Sequence, residues 1–172
     1  MPQRQRHDPS KNLVGFVVGD VEYALEIARV KEIANPMPVV SLPHAPASVI
    51  GVSDYRGEVV PVVDLRLRFG LGSVPATRRT KWLIVDVSGR LVALVVDAVS
   101  EVFGTAGAEL RPAPALGGGE DLRGIAGVSN RGSALIFVLD TSRLRELTEP
   151  LAASGALGPS ARPSVLPAGK ST

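Results

Sequence analysis

Cysteine is absent from the 172 residues, which excludes disulfide bonds and thiolate metal sites. Histidine occurs only as His7, in a polar N-terminal stretch, and His44, in a proline turn. Neither has a second ligand at the spacing a metal site needs. Aromatic residues make up 4% of the chain, and none interleave with basic groups as a stacking nucleic-acid surface requires. Net charge is only +2, with Arg and Lys scattered among acids, so nucleic acid is not an expected partner. No apolar run reaches the length of a membrane-spanning helix, and MPQRQRHDPSKN at the N-terminus lacks the apolar segment of a secretory signal. The expected compartment is the cytoplasm, without direct membrane insertion.

Catalytic patterns are missing too. A serine nucleophile would want an elbow such as G-x-S-x-G, which Gly51-Val52-Ser53 and Gly127-Val128-Ser129 lack. Gly169-Lys170-Ser171-Thr172 imitates the end of a phosphate loop, but Ser164 stands where its first glycine should be, and no helix dipole follows. Most carboxylates fall at turns and strand ends, where capping explains them better than acid–base chemistry. No enzyme and no cofactor are expected.

What is present is strand chemistry. Apolar residues are 45% and charged residues 21%, and the runs FVV, VVPVV, LIV, LVALVV and ALIFVL are β-branched or leucine-rich. Residues 1–11 carry no periodic apolar pattern, and from 150 to 172 the chain is rich in Ala, Gly, Pro and Ser, the composition of a flexible tail. Between them, 12–149 reads as the folded region. Hairpins are predicted around Gly19-Asp20, Arg56-Gly57 and Ser88-Gly89, and a last one from strands at 125–129 and 134–139. Asp64 and Asp140 each follow a strand and can cap a short helix. Ile27, Val30, Ile33 and Ala34 recur at helical spacing, so 26–34 is predicted as a short amphipathic helix, 98–102 as a helical turn, and 37–42 as a strand.

The two halves repeat each other. GVSDYRGEVVPVVD (51–64) is echoed by GVSNRGSALIFVLD (127–140) at an offset of 76. ALEIARVKEI (24–33) faces ALVVDAVSEV (93–102) at an offset of 69. Two motifs recurring in the same order point to duplication. The fold expected is mainly β, with two similar units of about five strands, each closing into a barrel to remove its edges. Units this small should share a hydrophobic interface, and the groove between them is a natural binding place.

The order FVVGDVEYALEIARVKEI, VIGVSDYRGEVVPVVDLRLRFGL, WLIVDVSGRLVALVVDAVSEVF, then ELRPAP and GIAGVSN resembles the CheW family of bacterial chemotaxis adaptors. The block Gly51, Arg56-Gly57, Pro61, Asp64-Leu65 and Phe69 carries that resemblance most specifically. It implies two intertwined five-stranded SH3-like barrels over 12–149. It also implies a non-catalytic scaffold at receptor arrays, with two partners: the cytoplasmic domain of a methyl-accepting chemotaxis receptor and the regulatory domain of a CheA-type histidine kinase. The receptor tip is expected between the barrels, as a helix in a groove.

The resemblance further implies that Val30, Glu32, Gly51, Arg56 and Val102 match positions used for receptor or kinase contact, with Gly57 beside Arg56. Val30 and Val102 can offer apolar contact or serve as core. Arg56, near a hairpin tip, can hydrogen-bond a helix end or a carboxylate, and Glu32 is expected to pair with it. Gly57 is expected to supply a positive φ, and Gly51 to be demanded by turn geometry. Asp54-Tyr55 replaces the Asn-Leu usual in the family, which bears on partner preference. A second reading stays open: a β-domain holding a small molecule or peptide. It would need a closed cavity with converging polar groups.

Overall fold

The structure, a computed structural model, describes residues 12–104, 110–112 and 124–146. The expectations for 1–11, 150–172 and the glycine loop at 117–119 lie outside the described residues.

Ten strands carry the fold: β1 (Asn12–Val18), β2 (Val21–Glu26), β3 (Val30–Ala34), β4 (Val49–Tyr55), β5 (Glu58–Asp64), β6 (Lys81–Val87), β7 (Arg90–Val96), β8 (Ala98–Gly104), β9 (Ile125–Arg131) and β10 (Ala134–Leu139). They form two five-stranded sheets, ordered β8-β1-β2-β10-β9 and β3-β6-β7-β5-β4. One sheet combines β1 and β2 of the first repeat with β8, β9 and β10 of the second, and the other combines β6 and β7 of the second with β3, β4 and β5 of the first. The parallel pairs β10–β2 and β5–β7 are the joints of this exchange, and they too are repeat-equivalent. The barrels are therefore intertwined rather than one per half.

Burial follows from that arrangement. The largest apolar cluster lies between the sheets, joining Phe16, Val18, Tyr23 and Leu25 to Leu83, Val85, Leu94 and Val96. A second cluster, with Trp82, Ile84, Val60 and Val62, belongs to one sheet, and a third, with Leu13, Ala24, Ile136 and Val138, to the other. Strands such as β6 are thus buried on both faces, which is why KWLIVDV reads as a continuous apolar run. Each large aliphatic group so buried contributes about 1.5–3 kcal/mol.

Two helix predictions are corrected here. Only Ile27–Arg29 is helical, as a single 3-10 turn, and Val30–Ala34 is strand β3, paired with β6. Residues 98–102 likewise lie in strand β8, paired with β1. Val30 therefore sits on a strand, not on a helix. Hydrogen bonding to a partner strand about 50 residues away overrode a local spacing that five residues cannot make decisive. The strand predicted at 37–42 shrinks to one bridge, Val40 to Val52.

The capping predictions hold. Asp64 accepts from the backbone N–H groups of Arg66 at 2.8 Å and Leu67 at 3.4 Å, starting helix α1 (Leu65–Arg68). Asp140 accepts from the Ser142 N–H at 2.9 Å and starts the 3-10 turn Thr141–Leu144.

Candidate functional site

The β4–β5 hairpin turns on Arg56 and Gly57, whose φ values are 51° and 82°. Two successive left-handed residues make a type I′ turn, whose twist suits a two-residue hairpin. Asp54 pins it by accepting the Gly57 N–H at 2.8 Å, so the acid keeps the turn-capping oxygen that an asparagine would supply. Gly57 supplies its expected positive φ. Arg56, with its side chain 74% exposed, is carried at the very tip.

From there the guanidinium reaches back to β3. Arg56 Nη2 lies 2.9 Å from Glu32 Oε2, the pairing expected from the sequence. The same oxygen accepts a hydrogen bond from the Tyr55 hydroxyl. The Arg56 guanidinium carbon also lies 5.4 Å from the centre of the Tyr55 ring, a cation–π distance. Tyr55 itself is buried in the second sheet's own cluster. Its hydroxyl is held above the ordinary tyrosine pKa, first by the hydrogen bond to Glu32 and then by burial, with the Arg56 charge opposing.

The other predicted residues have different surroundings. Val30 is half-buried and packs against the core shared by the sheets. Val102, on edge strand β8 of the other sheet, is 48% exposed. Gly51 is buried within strand β4, not in a turn. Its φ is 151°, and a Cβ there would fall 2.2 Å from the Val40 carbonyl oxygen. The demand for glycine at 51 comes from a crossing chain segment, which corrects the turn-geometry reason. Gly127 repeats the device, with a Cβ position 2.5 Å from the Arg111 carbonyl oxygen.

Sequence reasoning missed Tyr55 as a bonding partner of Glu32, and it missed Arg131 altogether. The repeat offsets held the signal: Glu101 is the counterpart of Glu32, and Arg131 the counterpart of Tyr55. In the structure Arg131, from β9, pairs with Glu101 of β8 and with Glu22, the latter at 2.9 Å. It also lies 5.1 Å over the Phe103 ring. In each sheet, then, the two edge strands are tied to each other by side chains, as a sheet curled into a barrel requires.

Among the described residues no group of three or more His, Cys, Asp or Glu side chains could hold a metal ion. No helix among them is long and apolar enough to cross a membrane. An open cavity of about 230 Å³ is lined by Glu26, Arg29, Leu110, Val138, Asp140 and Thr141 among others. Glu26 and Arg29 are exposed, and the Asp140 carboxylate is engaged in capping. No converging polar set of the kind a small-molecule site needs is formed there.

A family model described as "CheW-like domain" matches residues 12–149. The chain belongs to the CheW-like domain family. It is 38% identical over 104 residues to "Chemotaxis protein CheW" of Rhizobium meliloti (strain 1021), spanning 60% of this chain and 67% of that one. It is 32% identical over 148 residues to "Probable chemotaxis protein CheW" of Rhizobium etli, spanning 83% and 92%. Among solved structures it resembles the scaffolding protein TtCheW from Thermoanaerobacter tengcongensis, with a TM-score of 0.70 and 26% identity over 81% of this chain and 90% of that one. The mainly β, two-sheet architecture agrees with that CheW structure, and with the SH3-like barrels expected. The protein is a CheW-like adaptor of chemotaxis signalling, which couples receptors to the kinase CheA.

Proposed function

We propose that this adaptor is a non-catalytic scaffold that meets the receptor through the β4–β5 hairpin tip and the kinase through a separate barrel surface. The receptor partner is the cytoplasmic tip of a methyl-accepting chemoreceptor. The kinase partner is the regulatory domain of a CheA-type histidine kinase, packed barrel against barrel. Both meetings take place at receptor arrays beneath the inner membrane. Arg56 is the principal receptor contact, with Glu32 and Gly57 shaping its tip, Gly51 holding the strand behind it, and Val30 and Val102 offering apolar contact.

The observation that carries this reading is a difference between the two repeats. The position of Arg56 in the first copy is held by Gly132 in the second, and both are left-handed, with φ of 51° and 60°. Glycine adopts that conformation freely, whereas a side chain there costs about 1–2 kcal/mol. The pair with Glu32 is too exposed to offset that reliably, since surface ion pairs yield about 0–1 kcal/mol. Ser88, at the β6–β7 turn, is left-handed too, with φ of 53°, where the first copy has Gly19. It is therefore the exposed guanidinium, absent from the second copy, and not the backbone conformation alone, that supports contact.

Binding of the full chain to a chemoreceptor cytoplasmic fragment and, separately, to the kinase regulatory domain tests the reading. Wild type should bind both, Arg56→Ala only the kinase domain. A folded chain that binds neither partner overturns it.

A further inference from the structure

We propose that Tyr55 is a positioning residue for Arg56: it closes the barrel with a neutral hydrogen-bond donor, so that the Glu32 carboxylate keeps its charge for the guanidinium. The proposal rests on Arg56 being the partner-contacting group.

The comparison that carries it lies inside the chain. At the equivalent site of the other barrel, closure is made by a cation. Arg131 is shared between Glu101 and Glu22 and lies over the Phe103 ring. The hairpin tip beyond it is Gly132-Ser133, which presents no charged group outward. In the first copy the two tasks are divided between neighbours. Tyr55, buried to 7% exposure, ties β4 to β3 by donating its hydroxyl to Glu32. A phenol satisfies one lone pair of the carboxylate without cancelling its charge. The Glu32 carboxylate draws one edge of the Arg56 guanidinium to 2.9 Å. The Tyr55 ring adds a second restraint from its face.

The result is a guanidinium held from one side and open on the other. One nitrogen is engaged by Glu32 and the side chain is 74% exposed, so donors remain for an incoming carboxylate in a fixed direction. Fixing that direction before binding reduces the entropy lost on contact. The partner chemistry selected is an acidic side chain on a helical surface.

The test uses the full chain and a two-helix chemoreceptor tip fragment, with Tyr55→Phe, Arg56→Ala and the double variant. Tyr55→Phe keeps the ring and removes only the hydroxyl. It should weaken receptor binding about threefold to tenfold, the worth of one hydrogen bond. In the Arg56→Ala background it should cause no further loss. The Arg56 Nε–H resonance of the free protein, sharp and distinct in wild type, should collapse toward the averaged position of solvent-exposed arginines in Tyr55→Phe. Equal losses in both backgrounds, or an unchanged Arg56 resonance, overturn the proposal. Should Tyr55→Phe fail to fold, Glu32→Gln replaces it. The amide can still accept the tyrosine hydroxyl but loses the charge, and the same release of Arg56 is expected. If wild type binds no receptor fragment, the receptor reading fails, and the Arg56 resonance still decides whether Tyr55 positions the guanidinium.

Discussion

Glu32 and Glu101 stand 69 positions apart on edge strands of different sheets, and each is held by a side chain from the opposite edge of its own sheet. Tyr55 holds the first and Arg131 the second. Duplication supplied one closing site twice, and the two copies have since been filled with different chemistry. The outward guanidinium of Arg56 exists only where a neutral donor does the closing.

The left-handed tip gives the first prediction. Arg56→Gly should leave the fold within about 1 kcal/mol of wild type, because relief of φ strain offsets loss of the exposed ion pair and of the cation–π contact with Tyr55. Thermal unfolding checks the stability, and the same sample should have lost receptor binding. A clear fall in stability would mean that Arg56 is retained for folding.

Two glycines with positive φ should respond differently to alanine. Gly57 has open space around its missing Cβ, so Gly57→Ala meets only backbone strain, about 1 kcal/mol. Gly51→Ala drives a Cβ into the Val40 carbonyl and must displace the bridge to Val52, so it should cost more than about 2 kcal/mol. Urea midpoints at constant m-value separate the two.

Alkaline titration isolates the Tyr55 hydroxyl. Its folded pKa is raised, through the Glu32 hydrogen bond first and burial second. The neutral form therefore contributes stability that is fully present below the unfolded value of about 10 and is lost as pH rises through the folded pKa. Wild type should lose stability in that window, and Tyr55→Phe should lose less. Parallel curves would mean that the hydroxyl makes no such bond in solution.

Asp97 offers a test of how the sheets are joined. It accepts the Gly19 N–H at 2.7 Å and pairs with Arg66 at 2.7 Å, linking α1 to the β1–β2 turn. Removing Arg66 leaves the carboxylate one partner, whereas removing Asp97 leaves both a partly buried guanidinium and a backbone N–H short of theirs. Asp97→Ala should cost about 2–3 kcal/mol and Arg66→Ala about half that. Equal costs in chemical denaturation would mean that only the ion pair matters.

Legibility in the sequence followed the range of the forces involved. Hairpin turns and the caps at Asp64 and Asp140 depend on neighbours a few residues away, and could be read directly. Duplication could be read as well, and with it about five strands per unit. The sequence, however, places the third strand of the first copy at 37–42, and reads its true place, β3, and the counterpart β8 as helical. β3 could not be read: Val30, Glu32 and Ala34 are half-buried while Lys31 and Ile33 are exposed, a period of two that five residues share with a helical spacing. Its identity as a strand depends on β6, far along the chain. At the candidate site the Glu32–Arg56 pair was anticipated, but the bond from Tyr55 was hidden because it crosses a barrel whose closure only the fold reveals. The repeat offsets, applied to Glu32 and Tyr55 together, would have pointed to Glu101 and Arg131.

The most direct measurement is sedimentation of the full chain mixed with a chemoreceptor tip fragment and a kinase regulatory domain. A single boundary containing all three proteins is predicted, with Arg56→Gly leaving the kinase complex intact and releasing the receptor fragment. Displacement of one partner by the other would show a single shared surface, and would contradict a scaffold that holds both at once.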